Sequence, residues 1–449
     1  MHPSRVIRGR RSDLLAGRKV ILGVTGSIAA IESPRIAREL IRHGADVRAV
    51  MSPDALGIVT AEAMRFATGY PPILQLSGDV EHVSWLGPGE GQADLLLIAP
   101  ATANTISKIA HGIDDTAVTS FASVALGGEV PILLAPAMHA HMGLNPALRE
   151  NLERLARWGV GLIEPTLAEG EEKVASPEEV AAAVLHRLAR GPLRGRRVVV
   201  IGGSSREPID DVRAVANASS GETAIALATQ AYFRGAEVMV WLGHVQVPVP
   251  GYLPTRTWSG VRDLLALVNA HREELARAEL TLVPAALSDY TLKAAPGKIA
   301  SRDQPEITLR LTRAPKVLPQ LRRAIRAPGL LVGFKLEAGQ PTESLAASAR
   351  RLLEENDLDA VVANDRAVVG SRHTSVLVQG RRAGRHWLTG AKADVAGKLL
   401  DDLARQLAVV TPVASPPSPP ASRGRSRSSP SRVPPRRKSR TTPPSAPRR

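Results

Sequence analysis

Two runs in this chain combine the small residues and the placement that a bound phosphate needs. Gly23-Val24-Thr25-Gly26-Ser27-Ile28-Ala29-Ala30 follows an apolar stretch and opens a periodic one. Backbone N–H groups and the positive end of a helix dipole would meet an anion there, and the lack of bulk lets the chain approach it closely. Gly202-Gly203-Ser204-Ser205 repeats the arrangement with added hydroxyl donors, and Asn217 beyond it carries an amide that both donates and accepts. Taken singly, a glycine run also suits a strand-to-helix turn that binds nothing, and Ser219-Ser220 also suits a helix cap. His82, in Val80-Glu81-His82-Val83, offers proton transfer, in competition with the plainer role of a surface or capping histidine in a loop. His139 and His141 could share a metal ion, but the chain has no cysteine and no third ligand stands near them, so no metal site is expected. Met138 and Met142 beside them serve core packing as readily as substrate contact.

The elements around these residues follow one grammar, used twice. Residues 17–51 read as strand (Val20 to Val24), glycine loop, helix (Ile36 to Arg42), Gly44 as the stop, and strand (Val47 to Met51). Residues 195–242 repeat it with Val198 to Ile201, the second glycine loop, a helix near Thr223 to Arg234, Gly235, and Val238 to Leu242. Further strands are expected at Asp94 to Ile98, Pro131 to Ala135, Leu280 to Pro284, Leu330 to Phe334 and Ala360 to Ala363. Two βαβ starts a domain length apart imply an α/β protein with two doubly wound, mostly parallel, Rossmann-like sheets, whose ligands belong at the carboxyl edges. The expected divisions are an extension over 1–16, domains over 17–190 and 191–410, and a tail over 411–449.

Composition narrows the partners. Aromatic residues are 3% of the chain, too few for base-stacking platforms in the folded part. The net charge is +15, but the tail alone holds ten Arg or Lys and no acid, leaving +5 elsewhere. That Pro/Ser/Arg tail has too few apolar residues to order itself and is expected to be disordered, without a specific nucleic-acid ligand. Without an apolar run of bilayer length or a secretory leader, a cytoplasmic protein that binds no membrane is expected.

Once the segments Ala99-Pro100-Ala101-Thr102-Ala103-Asn104 and Pro136-Ala137-Met138-His139-Ala140-His141-Met142 are added to the first loop, the stretch from Gly17 to about Arg190 resembles the flavin-containing cysteine decarboxylases. The resemblance implies a flavodoxin-like domain that holds FMN through Gly26, Ser27, Ile28, Ser52, Pro100, Ala101 and Thr102. It implies His82 as the active-site histidine and His139 and Met142 as substrate contacts. In such enzymes the flavin oxidises the thiol-bearing carbon, after which CO2 leaves, and the histidine orients or deprotonates substrate. Two departures stand out: His139 occupies the usual place of Asn, and Glu164 to Glu179 lacks the cysteine that many members use as a proton donor.

The second half, to about Leu400, resembles the phosphopantothenate–cysteine ligases through Gly202 to Arg213 and Asn217-Ala218-Ser219-Ser220-Gly221. CTP, carried with Mg2+, activates the phosphopantothenate carboxylate in that family, and the amine of cysteine displaces CMP. By position Asn217 handles the activated acid, Lys298 offsets phosphate charge, and Ala285, Asp289, Pro315 and Phe334 contact ligands. Here too the chain departs: Glu222-Thr223-Ala224 replaces Lys-Met-Gly, Pro315-Lys316 replaces Pro-Asp, and Leu352 and Asn356 stand where lysines are expected, with Arg350 or Lys335 as candidate substitutes. Together the two resemblances imply an enzyme that joins cysteine to 4'-phosphopantothenate and decarboxylates the product to 4'-phosphopantetheine on the way to coenzyme A. They also imply a homo-oligomer with trimeric flavin domains and dimeric ligase domains. The rival readings are a decarboxylase carrying a structural, degenerate ligase domain, and a flavin-binding regulator whose tail binds nucleic acid.

Overall fold

Runs such as Val20-Ile21-Leu22 and Leu95-Leu96-Leu97-Ile98 have no polar alternate residue, as strands covered on both faces require. In the computed structural model, which describes residues 2–164, 166–168, 171–173, 175–300, 302, 306–337, 339, 342–365, 373–381 and 384–410, they lie side by side near the centre of the first of two large sheets. The tail expected over 411–449 is outside the described residues.

Strands β1 (Lys19–Val24), β2 (Asp46–Met51), β3 (Leu95–Ala101), β4 (Ile132–Pro136) and β5 (Gly161–Leu162) form the first sheet, all parallel, in the order β2-β1-β3-β4-β5. Alternation splits their side chains between two cores. Val20, Leu22, Leu95 and Leu97 pack with Ile36 and Leu40 of the helix Ser33–Arg42 and with Val180 and Val184 of the helix Pro177–Leu188. Ile21, Leu96, Ile98 and Leu134 pack with Val118 and Phe121 of the helix Ala117–Gly127. Each such buried side chain contributes about 1.5–3 kcal/mol. Residues before β1 add to the first core: Ile7 and Leu15 are buried, and the Leu15 N–H bonds to the His43 carbonyl at 2.8 Å. A small antiparallel ribbon, β6 (Thr166–Ala168) with β7 (Glu171–Lys173), stands between β5 and the helix Pro177–Leu188.

In the second half come β8 (Arg197–Gly202), the ribbon β9 (Arg206–Pro208) with β10 (Ala214–Ala216), β11 (Glu237–Leu242), β12 (Thr255–Thr257), β13 (Leu280–Val283), and the ribbon β14 (Tyr290–Thr291) with β15 (Thr312–Arg313). They are followed by β16 (Leu330–Glu337), β17 (Ala360–Asp365), β18 (His373–Gly380) and β19 (Arg385–Ala391). The large sheet runs β12-β11-β8-β13-β16-β17-β18-β19, with β18 alone reversed and so antiparallel to both β17 and β19. Val198, Val200, Leu280 and Leu282 face the helices Glu222–Phe233 and Lys392–Val410, while Val199, Ile201, Trp241 and Leu331 face the helices Val261–Ala270 and Leu318–Ala324.

An aromatic seam joins the halves. His186, on the last helix of the first half, stacks on Tyr232 at 4.3 Å between ring centres, and Tyr232 stacks on Tyr252 at 4.7 Å. Phe233 meets His43 edge-on at 5.9 Å.

Candidate active sites

In the order β2-β1-β3-β4-β5 the winding direction reverses between β1 and β3, and a doubly wound sheet opens its ligand crevice at that reversal. The loops that leave these two strands are tied together there. Thr25 Oγ1 donates to the Pro100 carbonyl at 2.7 Å and accepts from the Thr102 N–H at 3.1 Å. Ser52 follows β2 and joins the same edge, its N–H bonded to the Val24 carbonyl at 3.0 Å. Gly26 is packed so closely on Asp54 that a Cβ would run into the Asp54 side chain. The structure therefore brings together Gly26, Ser27, Ile28, Ser52, Pro100, Ala101 and Thr102, with Ala101 itself fully buried in the strand. The loop after β1 does not enter an α-helix directly: Ile28–Glu32 is a 3-10 turn capped by the Ser27 hydroxyl, and the α-helix begins at Ser33.

The neighbouring loop after β4 is held to the same edge by the Ala137 N–H on the Ala101 carbonyl, 3.0 Å. It carries His139 at the start of a four-residue helix, Ala140–Gly143, with His139 and Met142 exposed. Among the described residues no group of three acidic, His or Cys side chains is placed to hold a metal ion. His82 sits on a helix, Glu81–Leu86, rather than in the loop its flanking sequence suggests; Val80 takes a left-handed conformation that starts this helix. The imidazole is half-buried against Phe121 at 6.4 Å, and its Nδ1 is buried without a partner among the described residues. Ser52 Oγ is in the same condition. The unpaired Ser52 hydroxyl at the crevice edge fits a polar ligand bound there.

In the second half, the carboxyl edges of β13, β16 and β17 open onto a cavity of about 900 Å³. Asn217, Ala285, Asp289, Pro315 and Phe334 all line it. Asn217 Nδ2 donates to the Ala286 and Leu287 carbonyls at 3.2 and 3.0 Å, which fixes the amide over the loop after β13. The glycine-serine turn behaves otherwise than its sequence suggests. No helix follows it directly; the chain runs into the β9–β10 ribbon, and Ser204 and Ser205 are buried. Their N–H groups go to the His244 and Ala286 carbonyls at 2.9 and 3.2 Å, so this turn braces neighbouring loops and does not present its donors to a phosphate. Ser219-Ser220-Gly221, which starts the helix Glu222–Phe233, lines the cavity in its place.

Lys298 is exposed and lies outside the cavity lining. Its loop is pinned to the turn at Asp210: the Ile299 N–H donates to Asp210 at 3.1 Å, and the Gly297 N–H donates to Asp211 at 3.1 Å. Burial works to raise the Asp210 carboxyl, but the N–H groups of Val212, Arg213 and Ile299 and the Arg213 guanidinium outweigh it and hold the group well below the usual carboxylate range. Of the two candidate substitute cations, Lys335 lines the cavity, whereas Arg350 lines a separate surface depression. Lys392 also lines the cavity, paired with Glu222. Sequence reasoning missed it, because it lies far along the chain from any glycine or asparagine motif; its place at the head of the last amphipathic helix was the available signal.

Two family models match successive stretches of the chain. The family described as Flavoprotein matches residues 8–189, and the DNA/pantothenate metabolism flavoprotein C-terminal domain matches residues 193–407. The coenzyme A biosynthesis bifunctional protein CoaBC of Thermococcus kodakarensis is 40% identical over 91% of this chain and 100% of its own length. That of Methanocaldococcus jannaschii is 36% identical over 81% of this chain and 88% of its own. A solved C-terminal domain of a CoaBC protein is 26% identical, with a TM-score of 0.41, covering 49% of this chain and 100% of that one. With both halves matched in order and two relatives matched over most of their length, the chain belongs to the CoaBC family of bifunctional coenzyme A biosynthesis proteins, which ligate cysteine to phosphopantothenate and decarboxylate the product.

Proposed function

We propose that the crevice between β1 and β3 holds FMN, that the 900 Å³ cavity of the second half holds CTP with Mg2+, and that the residues gathered at each carry the two reactions. The single observation behind this reading is the convergence of Asn217, Ala285, Asp289, Pro315 and Phe334, distant in sequence, on one cavity at a parallel sheet edge.

At the flavin crevice, Ser27 and Ser52 offer hydroxyls, and Gly26 and Thr102 bring backbone close enough for phosphate and ribityl contacts. A bound flavin supplies the two-electron oxidation of the thiol-bearing carbon. His82 holds or removes a substrate proton with the imidazole nitrogen that its packing leaves unpaired. His139 and Met142 border the edge from the loop after β4 and contact substrate there. Ile28, Ile31, Met142 and Leu144 are exposed near the sheet's carboxyl edge, an apolar surface that another copy of the chain would cover. This supports assembly through the flavin domains. The expected setting is cytoplasmic; among the described residues no helix is long and apolar enough to cross a membrane.

In the ligase cavity, the carboxylate of phosphopantothenate attacks the α-phosphorus of CTP and pyrophosphate leaves. The amine of cysteine then attacks the acyl carbon and CMP leaves. Asn217 has committed its Nδ2 to two carbonyls, so it offers its Oδ1 acceptor to the incoming amine. Phe334 and Ala285 pack on the nucleotide, while Lys298, on an anchored loop outside the cavity lining, is left to the phosphates' solvent side.

The test is a coupled assay on the purified full chain. Given phosphopantothenate, cysteine and CTP, it should release pyrophosphate and form first the ligated acid, then 4'-phosphopantetheine. Failure to form the acid would overturn the CTP assignment, and a colourless protein that takes up no added FMN would overturn the flavin assignment.

A further inference from the structure

The ligase cavity contains its own counter-ions. Among the described residues that line it, the cations are Lys316, Lys335 and Lys392, and each is paired with a carboxylate: Lys316 with Asp289 at 2.7 Å, Lys335 with Glu337 at 3.4 Å, and Lys392 with Glu222. Their surroundings differ. The Lys316 and Lys335 side chains are 73% and 36% exposed, so water already satisfies much of their charge, while Lys392 is only 16% exposed.

Lys392 is also the most firmly placed of the three. It opens the helix Lys392–Val410, whose Val395, Ala396 and Leu399 share a buried core with Ala224 and Ala228 of the helix Glu222–Phe233. The two helix starts therefore meet at the cavity wall, beside Ser220 and Gly221. A cation in the first turn of a helix sits at the unfavourable end of the dipole, so an anion is needed close by. Asp394 in the same first turn supplies one, and Glu222, paired directly with the ammonium, supplies a second. The positions where lysines are expected by resemblance are Leu352 and Asn356, and both of them line this cavity without charge.

We propose that Lys392 is the phosphate-binding cation of this cavity and that Glu222 is a competing internal anion, which gives up the ammonium when a nucleoside triphosphate enters. This rests on the reading of the cavity as the CTP site. The exchange leaves no charge buried and unpaired: Lys392 trades a carboxylate for phosphate oxygens, and Glu222, 47% exposed, turns to water. A triphosphate, with several charges, wins the exchange more readily than a monophosphate, so Glu222 weakens CMP more than CTP and sharpens the preference between them.

The two partners of one ion pair should then act with opposite sign, which a merely structural salt bridge would not do. Titration calorimetry of the full-length protein with CTP and Mg2+ should show Glu222→Gln binding about 2- to 5-fold more tightly than the unsubstituted chain. Lys392→Met should bind at least about tenfold more weakly. Glu222→Gln should also narrow the preference for CTP over CMP. It decides the matter even if Lys392→Met does not fold, because it removes only the competitor. CTP binding that Glu222→Gln leaves unchanged or weakens overturns this proposal and leaves the ligase reading standing; no CTP binding by the unsubstituted chain overturns both.

Discussion

Ser52 Oγ and His82 Nδ1 are polar atoms placed in the interior of the first half with nothing to bond among the described residues. Leaving such an atom unpaired costs about 1–3 kcal/mol, a cost that a bound ligand can remove. For Ser52→Ala this gives effects of opposite sign: the flavin-free protein should be as stable or up to about 1 kcal/mol more stable, while FMN binds more weakly. Thermal melting without flavin, set against a fluorescence titration with FMN, checks both, and a flavin affinity that does not change would remove Ser52 from the site. His82→Gln should keep the flavin and lower decarboxylation by about 10²–10⁴, so that the ligated acid accumulates; chromatography of the products measures it. At this scale the sequence was readable as far as residue type. It could not show that Lys298 stands outside the cavity lining or that Lys392 stands inside it, because both facts depend on which loops touch after folding.

The glycine-serine turn shows how an element can mislead. Gly202-Gly203-Ser204-Ser205 has the composition of a phosphate loop, yet the Ser204 and Ser205 N–H groups are spent on adjoining loops, and Gly203 has φ +83°. A Cβ on Gly203 would lie 2.9 Å from the Gly243 carbonyl carbon and from the His244 carbonyl oxygen, both backbone atoms that cannot swing aside. Gly203→Ala should therefore destabilise the second half by about 2–3 kcal/mol, read from denaturant midpoints. Were this turn an open anion cradle with room to spare, the substitution would cost well under that and would act on CTP binding alone. The helices and central strands were legible because their apolar period has a local cause. The ribbons β6–β7 and β14–β15, and the antiparallel edge β18–β19, were not, since short strands owe their form to partners elsewhere in the chain.

Across the whole molecule the two halves meet at His186, Tyr232 and Tyr252, and the helix Glu222–Phe233 links that seam at one end to the ligase cavity at the other. Burial pushes the Tyr252 hydroxyl up to about 12 from 10.0, with the neighbouring Tyr232 and Glu179 adding to it and a hydrogen bond with Thr229 opposing it. Because the folded protein holds this proton more tightly than the unfolded chain, the stabilisation is complete below pH 10 and is lost as pH rises from 10 towards 12. Tyr252→Phe should flatten the loss of melting temperature across that window; an alkaline profile identical to that of the unsubstituted chain would show that the seam does not govern it. By itself the sequence determined the two parallel sheets, their order along the chain and the family, since buried strands must be apolar runs and glycine motifs are local. Only the tertiary structure decided which small-residue turn faces a ligand, which lysine enters the cavity and how the halves join, because burial, hydrogen-bond partners and charge pairing are settled between residues far apart in sequence.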